Sequence, residues 1–163
     1  SYRDLKKRME ILDDPRVGAF GVMAIVLLIV GKVIIIAEVL SSESFHWIFI
    51  VIIPVLSRIV LVALFSTTVN AKESGLAHFF KQRIHIPLQL PLTACSWFIA
   101  ICLIGLTTYW LIAITILSVL VVFSCVYRSW TLKNFGGITG DLLGASLELT
   151  EVILWITLLL LLS

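Results

Sequence analysis

The chain has 163 residues, 60% of them hydrophobic and only 13% charged, with a net charge of +2. A soluble domain carries about 25% charged residues, so a freely soluble protein is excluded, and there is too little polar sequence for a separate soluble domain. The composition predicts a single integral membrane domain over residues 1–163, with the lipid bilayer as its first partner and no nucleic-acid partner.

Ser1 to Asp14 reads as an amphipathic surface helix, with Leu5, Met9 and Leu12 at helical spacing among basic residues. Asp14-Pro15 predicts a helix start, because Asp suits the N-cap and Pro the first helical position. Val17 to about Leu40 is then the first membrane span, and it ends without a signal-peptide cleavage site. Lys32 lies deep in that span, beneath Gly21 on the same face and roughly 12 Å of helix from Leu40. Snorkelling toward that end and an inward, functional placement both remain open.

The second span, about Trp47 to Val69, contains Pro54 and, near its middle, Arg58. A guanidinium at that depth does not reach water comfortably, which predicts an interior anion or carboxylate partner. Asn70 to Pro87 is the only long polar stretch, with Lys72, Glu73, His78, Lys81, Arg83 and His85. Its basic groups suit lipid head groups or ligand phosphates equally well. Two scaffold spans follow, Leu88 to Leu106 and Tyr109 to Tyr127, before Arg128 to Lys133 bring the chain back out of the membrane.

The last span runs from about Thr139 to Leu162, for an all-α bundle of about five transmembrane helices plus the short N-terminal helix. Basic residues precede the first span and fill the middle and late polar segments, whereas the turns at Ser41 to His46 and Gly105 to Thr108 have none. By the positive-inside rule the basic end faces the cytoplasm, which predicts a multi-pass protein of the cytoplasmic (inner) membrane. Cys95, Cys102 and Cys125 lie in apolar runs without metal-ligand spacing and are expected to be buried thiols.

The densest polar constellation is Asn134 to Glu151. At 100° per residue Asp141, Glu148 and Glu151 fall within roughly 80° of one another on a helix. Gly136, Gly140 and Gly144 recur beside this acidic stripe, where missing side chains allow a backbone or a phosphate to approach. Acids that enter a membrane each cost about 2.5–3.5 kcal/mol at the helix centre, so three on one face call for a compensating partner, a divalent cation being the natural candidate.

Two blocks resemble one family. Asn134 to Glu151, with its Gly-Gly-Ile-Thr-Gly-Asp-Leu-Leu-Gly-Ala core, resembles the C-terminal signature of cobalamin (5′-phosphate) synthases, or adenosylcobinamide-GDP ribazoletransferases. Arg8 to Gly21, Arg-Met-Glu-Ile-Leu-Asp-Asp-Pro-Arg-Val-Gly-Ala-Phe-Gly, is similar to a second signature, with Asp13 and Pro15 departing from its usual residues. Lys32, Arg58 and Glu73-Ser-Gly-Leu fall where the family carries similar residues. The family also has an N-terminal Asp-Gly-x-x-Asp-x-x-Asp-Gly motif that is absent from these residues. With Ser1 and no Met at the start, the expectation is the C-terminal part of a longer enzyme.

The resemblance implies a Mg²⁺-dependent phosphotransferase that joins adenosylcobinamide-GDP to α-ribazole or its 5′-phosphate and releases GMP, with a homo-oligomer allowed. It implies Asp141, Glu148 and Glu151 as catalytic residues and Asp14 and Asp141 as metal ligands. Arg16, Lys32 and Arg58 would hold diphosphate oxygens, and Gly18, Gly21, Gly137 and Gly140 would let substrate come close. The alternatives are a CDP-alcohol phosphotransferase-like enzyme, whose Asp-Gly-x-x-Ala-Arg pattern is absent, and a non-catalytic membrane remnant or assembly subunit.

Overall fold

Backbone amides in hydrocarbon have no water to bond, so an apolar run long enough to cross a bilayer closes its hydrogen bonds within a helix. The computed structural model describes residues 4–14, 16–73, 76–83 and 110–163. Its helices are α1 Leu5–Asp13, α2 Ala19–Leu40, α3 Ile48–Thr67, α4 Leu76–Arg83, α5 Trp110–Phe135 and α6 Gly140–Leu162. Among the described residues, α2, α3, α5 and α6 are long and apolar enough to cross a membrane, with mean hydropathies of 2.8, 2.8, 2.5 and 2.0. The architecture is thus an all-α, polytopic membrane bundle. The expected span Leu88 to Leu106, with Cys95 and Cys102, lies outside the described residues, as do Pro15, Gly75 and His85.

Several boundaries differ from expectation for local reasons. Asp14 does not open α2: it follows α1, extended at φ −74° and ψ 115°, with its N–H donating to the Ile11 carbonyl. The N-cap of α2 is Gly18. The polar stretch that begins at Asn70 folds a short helix, α4, within it. Helix α5 continues past Tyr127 to Phe135, because Arg128 and Lys133 mark the edge of the apolar layer and not the end of the helix. Gly136 ends it, at φ +72° with its N–H on the Leu132 carbonyl, a left-handed stop that favours glycine. Gly136 therefore lies outside α6, and only Gly140 and Gly144 of the glycine series belong to that helix. Cys125 is exposed on α5, contrary to the buried thiol expected.

Helix α6 is the centre of the bundle, packing on α3 most extensively and also on α2 and α5. Ser42 Oγ reaches the Leu162 carbonyl at the far end, so α2 and α6 run in the same direction. At the other end Ile138 N–H donates to Val69 O and Ala71 N–H to Ile138 O, at 2.9 and 3.0 Å. This parallel bridge between Asn70 and Ile138 clamps the end of α3 to the start of α6. Arg128 donates from Nε and Nη2 to the Thr67 carbonyl at 3.3 and 3.2 Å, and the Lys81 ammonium meets the Thr68 carbonyl. These basic side chains cap the carboxyl end of α3, where cations are favoured.

Lipid is as apolar as leucine, so helices in it associate through close packing and polar contacts more than through the hydrophobic effect. The α3–α6 seam fits that account. Phe49, Ile53, Leu56, Val60 and Leu64 of α3 and Leu154 and Leu158 of α6 are buried, and the small polar Ser57, Ser146 and Thr150 are 0 to 1% exposed beside them. Helix α2, by contrast, buries only Val39 fully.

Candidate functional site

Two polar features lie on α6, and another lies in the segment that leads into α2. The first is the amino end of α6, where Thr139 Oγ1 accepts from the Leu142 N–H and caps the helix. Asp141 in that first turn is exposed and has no hydrogen-bond or ion-pair partner among the described residues. A carboxylate there is stabilised by the helix dipole, typically by 0.3–1 kcal/mol. Gly137, just before the cap, is buried. A Cβ on it would lie 2.5 Å from Val69 O and 2.7 Å from Ala71 N, so its missing side chain serves the backbone clamp between α3 and α6. Gly144, in contrast, has open space where its Cβ would stand.

The second feature is the segment leading into α2. Arg16 donates from Nε and Nη2 to the two oxygens of Asp14, both at 3.0 Å, and from its backbone N–H to Oδ1. The guanidinium holds the Asp14 carboxyl below the usual carboxylate range, and Asp14 in turn raises Arg16. Both are exposed. Gly18 is open to space, and a Cβ on Gly21 would press on Val17 at 2.9 Å.

The third feature is a cluster of four charges at mid-span. Glu151 is the middle residue of α6, about 16 Å from each end at 1.5 Å per residue. Its Oε2 and the Oε2 of Glu148 both accept from Lys32 Nζ of α2, the latter at 3.2 Å. Its Oε1 accepts from Arg58 Nη1 at 3.3 Å and lies 3.2 Å from Ser57 Oγ, both on α3. Arg58 Nη1 and Ser57 Oγ also reach the Pro54 carbonyl, at 2.7 and 2.8 Å. Lys32 is turned inward onto two acids, and Arg58 finds a carboxylate.

Two cations and two anions balance, as a low-dielectric setting requires. The cluster is not closed on every side. The Arg58 side chain is 60% exposed and that of Glu148 47%, against 10% for Glu151. Asp141, Gly144 and Glu148 are all exposed and lie three and four residues apart. They form an open stripe down one face of α6, from the mouth to the cluster.

The two sequence blocks meet directly. Arg8, which opens one block, donates from Nη1 to the Asn134 side-chain oxygen at 2.7 Å and to its carbonyl at 3.1 Å, and Asn134 opens the other. A profile described as cobalamin-5-phosphate synthase matches residues 1–159. The chain belongs to the cobalamin-5-phosphate synthase family.

Within that family it is similar to the adenosylcobinamide-GDP ribazoletransferase of Geobacillus kaustophilus (strain HTA426), 35% identical over 167 residues that cover 95% of this chain and 59% of that protein. The protein of that name from Syntrophobacter fumaroxidans is 37% identical over 155 residues, covering 93% and 58%. That from Acinetobacter baumannii (strain ACICU) is 35% identical over 159 residues, covering 96% and 60%. The chain thus spans about three fifths of the length of these curated relatives. No solved structure matches it.

Sequence reasoning missed three participants: Ser57, the Arg8–Asn134 link, and Tyr127, whose hydroxyl donates to the Leu142 carbonyl at 2.6 Å. Tyr127, itself buried, lies in an aromatic row between half-buried Phe123 and exposed Trp130, at centroid separations of 5.4 and 5.7 Å. Of these, only Arg8 and Asn134 lay inside blocks that the sequence had singled out. No periodicity distinguishes Ser57 from the other serines on membrane helices. Among the described residues no three His, Cys, Asp or Glu side chains stand close enough to hold a metal by themselves.

Proposed function

We propose that the protein carries out the ribazoletransferase reaction of its family at the open α6 stripe, joining adenosylcobinamide-GDP to α-ribazole or its 5′-phosphate and releasing GMP. The observation that carries this reading is the contact of the two blocks through Arg8 and Asn134, in a bundle whose helix α6 bears an exposed carboxylate at its start and a charge cluster at mid-span. A ribose hydroxyl attacks the phosphorus next to cobinamide. The new bond is ribose oxygen to phosphorus, and the bond that breaks is the bridging oxygen to phosphorus bond, so that GMP leaves with the bridging oxygen. The hydroxyl proton passes to Asp141, which is exposed and has no partner among the described residues. The outer oxygen of Glu148 continues the acidic stripe beneath it.

Positive groups orient the diphosphate. Arg58 uses Nη1 internally and has no further partner among the described residues for Nε and Nη2, which form the edge suited to forked contacts with phosphate. Arg16 completes the positive set, and Gly18, Gly21 and Gly140 keep the approach low. Mg²⁺ favours a few carboxylates with waters and substrate phosphates over a closed protein cage. Asp141 and Asp14 would be the carboxylates that hold such an ion, Asp14 giving up its fork with Arg16 to do so. Such an ion would neutralise phosphate charge during transfer.

The end that carries Arg8, Arg16, Lys81, Arg128 and Lys133 faces the cytoplasm in this reading, and the membrane is the inner membrane. A Lys133→Cys variant should react with an impermeant thiol reagent only after cells are opened. The catalytic assignment is tested with full-length protein in liposomes, given adenosylcobinamide-GDP, α-ribazole and Mg²⁺. The expected result is a cobalamin product and GMP in equal amounts, and intact adenosylcobinamide-GDP would reject the proposal.

A further inference from the structure

Glu151 is the most enclosed of the three acids, and no oxygen of it is left uncommitted. Oε2 is taken by Lys32 of α2, and Oε1 faces Arg58 and Ser57 of α3. It stands about 16 Å along α6 from the exposed helix start, whereas one oxygen of half-exposed Glu148 has no partner among the described residues. Helix α2 packs extensively on no described helix but α6, and it buries only Val39, near its far end. The Lys32 contacts are therefore its polar tie to α6 at mid-span. Beyond them, toward the basic end, α2 leads back to Gly21, Gly18, Arg16 and Asp14.

We propose that Glu151 is a positioning residue and not a reacting one: its carboxylate, with Lys32, Arg58 and Ser57, fastens α2 and α3 to α6 and so fixes the start of α2, with the Asp14–Gly21 block that leads into it, relative to the start of α6. The mechanism is geometric. Removing the pin leaves the basic half of α2 held through α1 by the Arg8–Asn134 link and by its contacts toward the far end, and a misplacement of about 1 Å in a reacting array costs about a hundredfold in rate. Ser57 has one proton and two acceptors within reach, the Pro54 carbonyl and Glu151. It links the proline turn of α3 to the same carboxylate.

The test has a spectroscopic arm and a kinetic arm, and only the second rests on the proposed reaction. Spin labels are placed through Met23→Cys on α2 and Ala145→Cys on α6, both exposed, in full-length protein in lipid nanodiscs with the native cysteines replaced. One narrow distance distribution is expected for the wild type and for Lys32→Arg, and a broad one for Lys32→Met and Glu151→Leu. In the kinetic arm Lys32→Met lowers kcat about a hundredfold without moving the half-saturating Mg²⁺ concentration, and Lys32→Arg restores most of it.

Glu151→Gln guards against variants that fail to fold, since the amide still offers an oxygen to Ser57 and Arg58. Activity that tracks the width of its distance distribution supports the assignment, whether both are kept or both are lost. A narrow, wild-type distribution with kcat collapsed, or a raised Mg²⁺ requirement, overturns it and makes Glu151 a reacting group. If the full-length protein forms no product at all, the proposed reaction fails while the distance arm still decides the role of the pin.

Discussion

A carboxylate in the middle of a membrane bundle persists only when its charge is answered at close range, and Glu151 is answered from two neighbouring helices at once. Half of that arrangement was legible in the sequence. Arg58 lies too deep to snorkel, so an acidic partner could be expected, and Glu148 and Glu151 were among the acids at hand. Lys32 was ambiguous, since roughly 12 Å of helix is near the limit of its reach. Ser57 was invisible, because a buried hydroxyl gains meaning only from the neighbours that folding supplies. The same holds for Asp14. Asp-Pro reads as a helix start, but the side chain of Arg16 two residues on folds back over the carboxylate.

That pairing sets a pH dependence at the residue scale. The folded Asp14 carboxyl ionises at lower pH than the unfolded one, so its contribution is fully present above the ordinary carboxylate pKa. It is lost as pH falls through the depressed folded value. Arg16→Gln should move the Asp14 midpoint up into the ordinary range, as followed by carboxyl carbon resonances on selectively labelled protein. An unmoved midpoint would mean that the fork does not persist in the membrane.

At the scale of elements, the glycines before and within α6 do different work, and their spacing alone concealed it. Gly136 turns the chain left-handed, Gly137 makes room for another backbone, and Gly144 faces open space. A period of four in the sequence merges a stop signal with an open face. Gly137→Ala forces Val69 or Ala71 to move and should destabilise the fold by about 1–3 kcal/mol or more. Gly144→Ala should leave stability equal or improved by up to about 1 kcal/mol, from helix propensity. Gly144→Leu should fold and yet raise KM about tenfold by filling the stripe. Thermal unfolding in detergent and steady-state kinetics read both. Equal destabilisation by the alanine substitutions at 137 and 144 would contradict this division. The length of α5 teaches a related lesson, since basic residues in a last turn complement the helix dipole and need not end the helix.

At the scale of the whole molecule, helices α2 and α6 run the same way, the start of α6 is clamped to the end of α3, and α1 meets the end of α5 through Arg8. Hydropathy could place the spans because membrane helices must satisfy their own hydrogen bonds. It could not say which helix is central, since α2 is as apolar as α3 and yet lies at the edge. The two blocks that placed the chain in its family are far apart in sequence and joined in space by Arg8 and Asn134. That junction is what makes a single site at the start of α6 a coherent reading.

The most direct test is GMP release from adenosylcobinamide-GDP by full-length Asp141→Asn protein in liposomes, with thermal unfolding as control. The amide keeps the size of the side chain and gives up only a small helix-end contribution, so folding should survive. The account predicts a fall in kcat of about 10²- to 10⁴-fold with unfolding little changed. Wild-type turnover in that variant would contradict it.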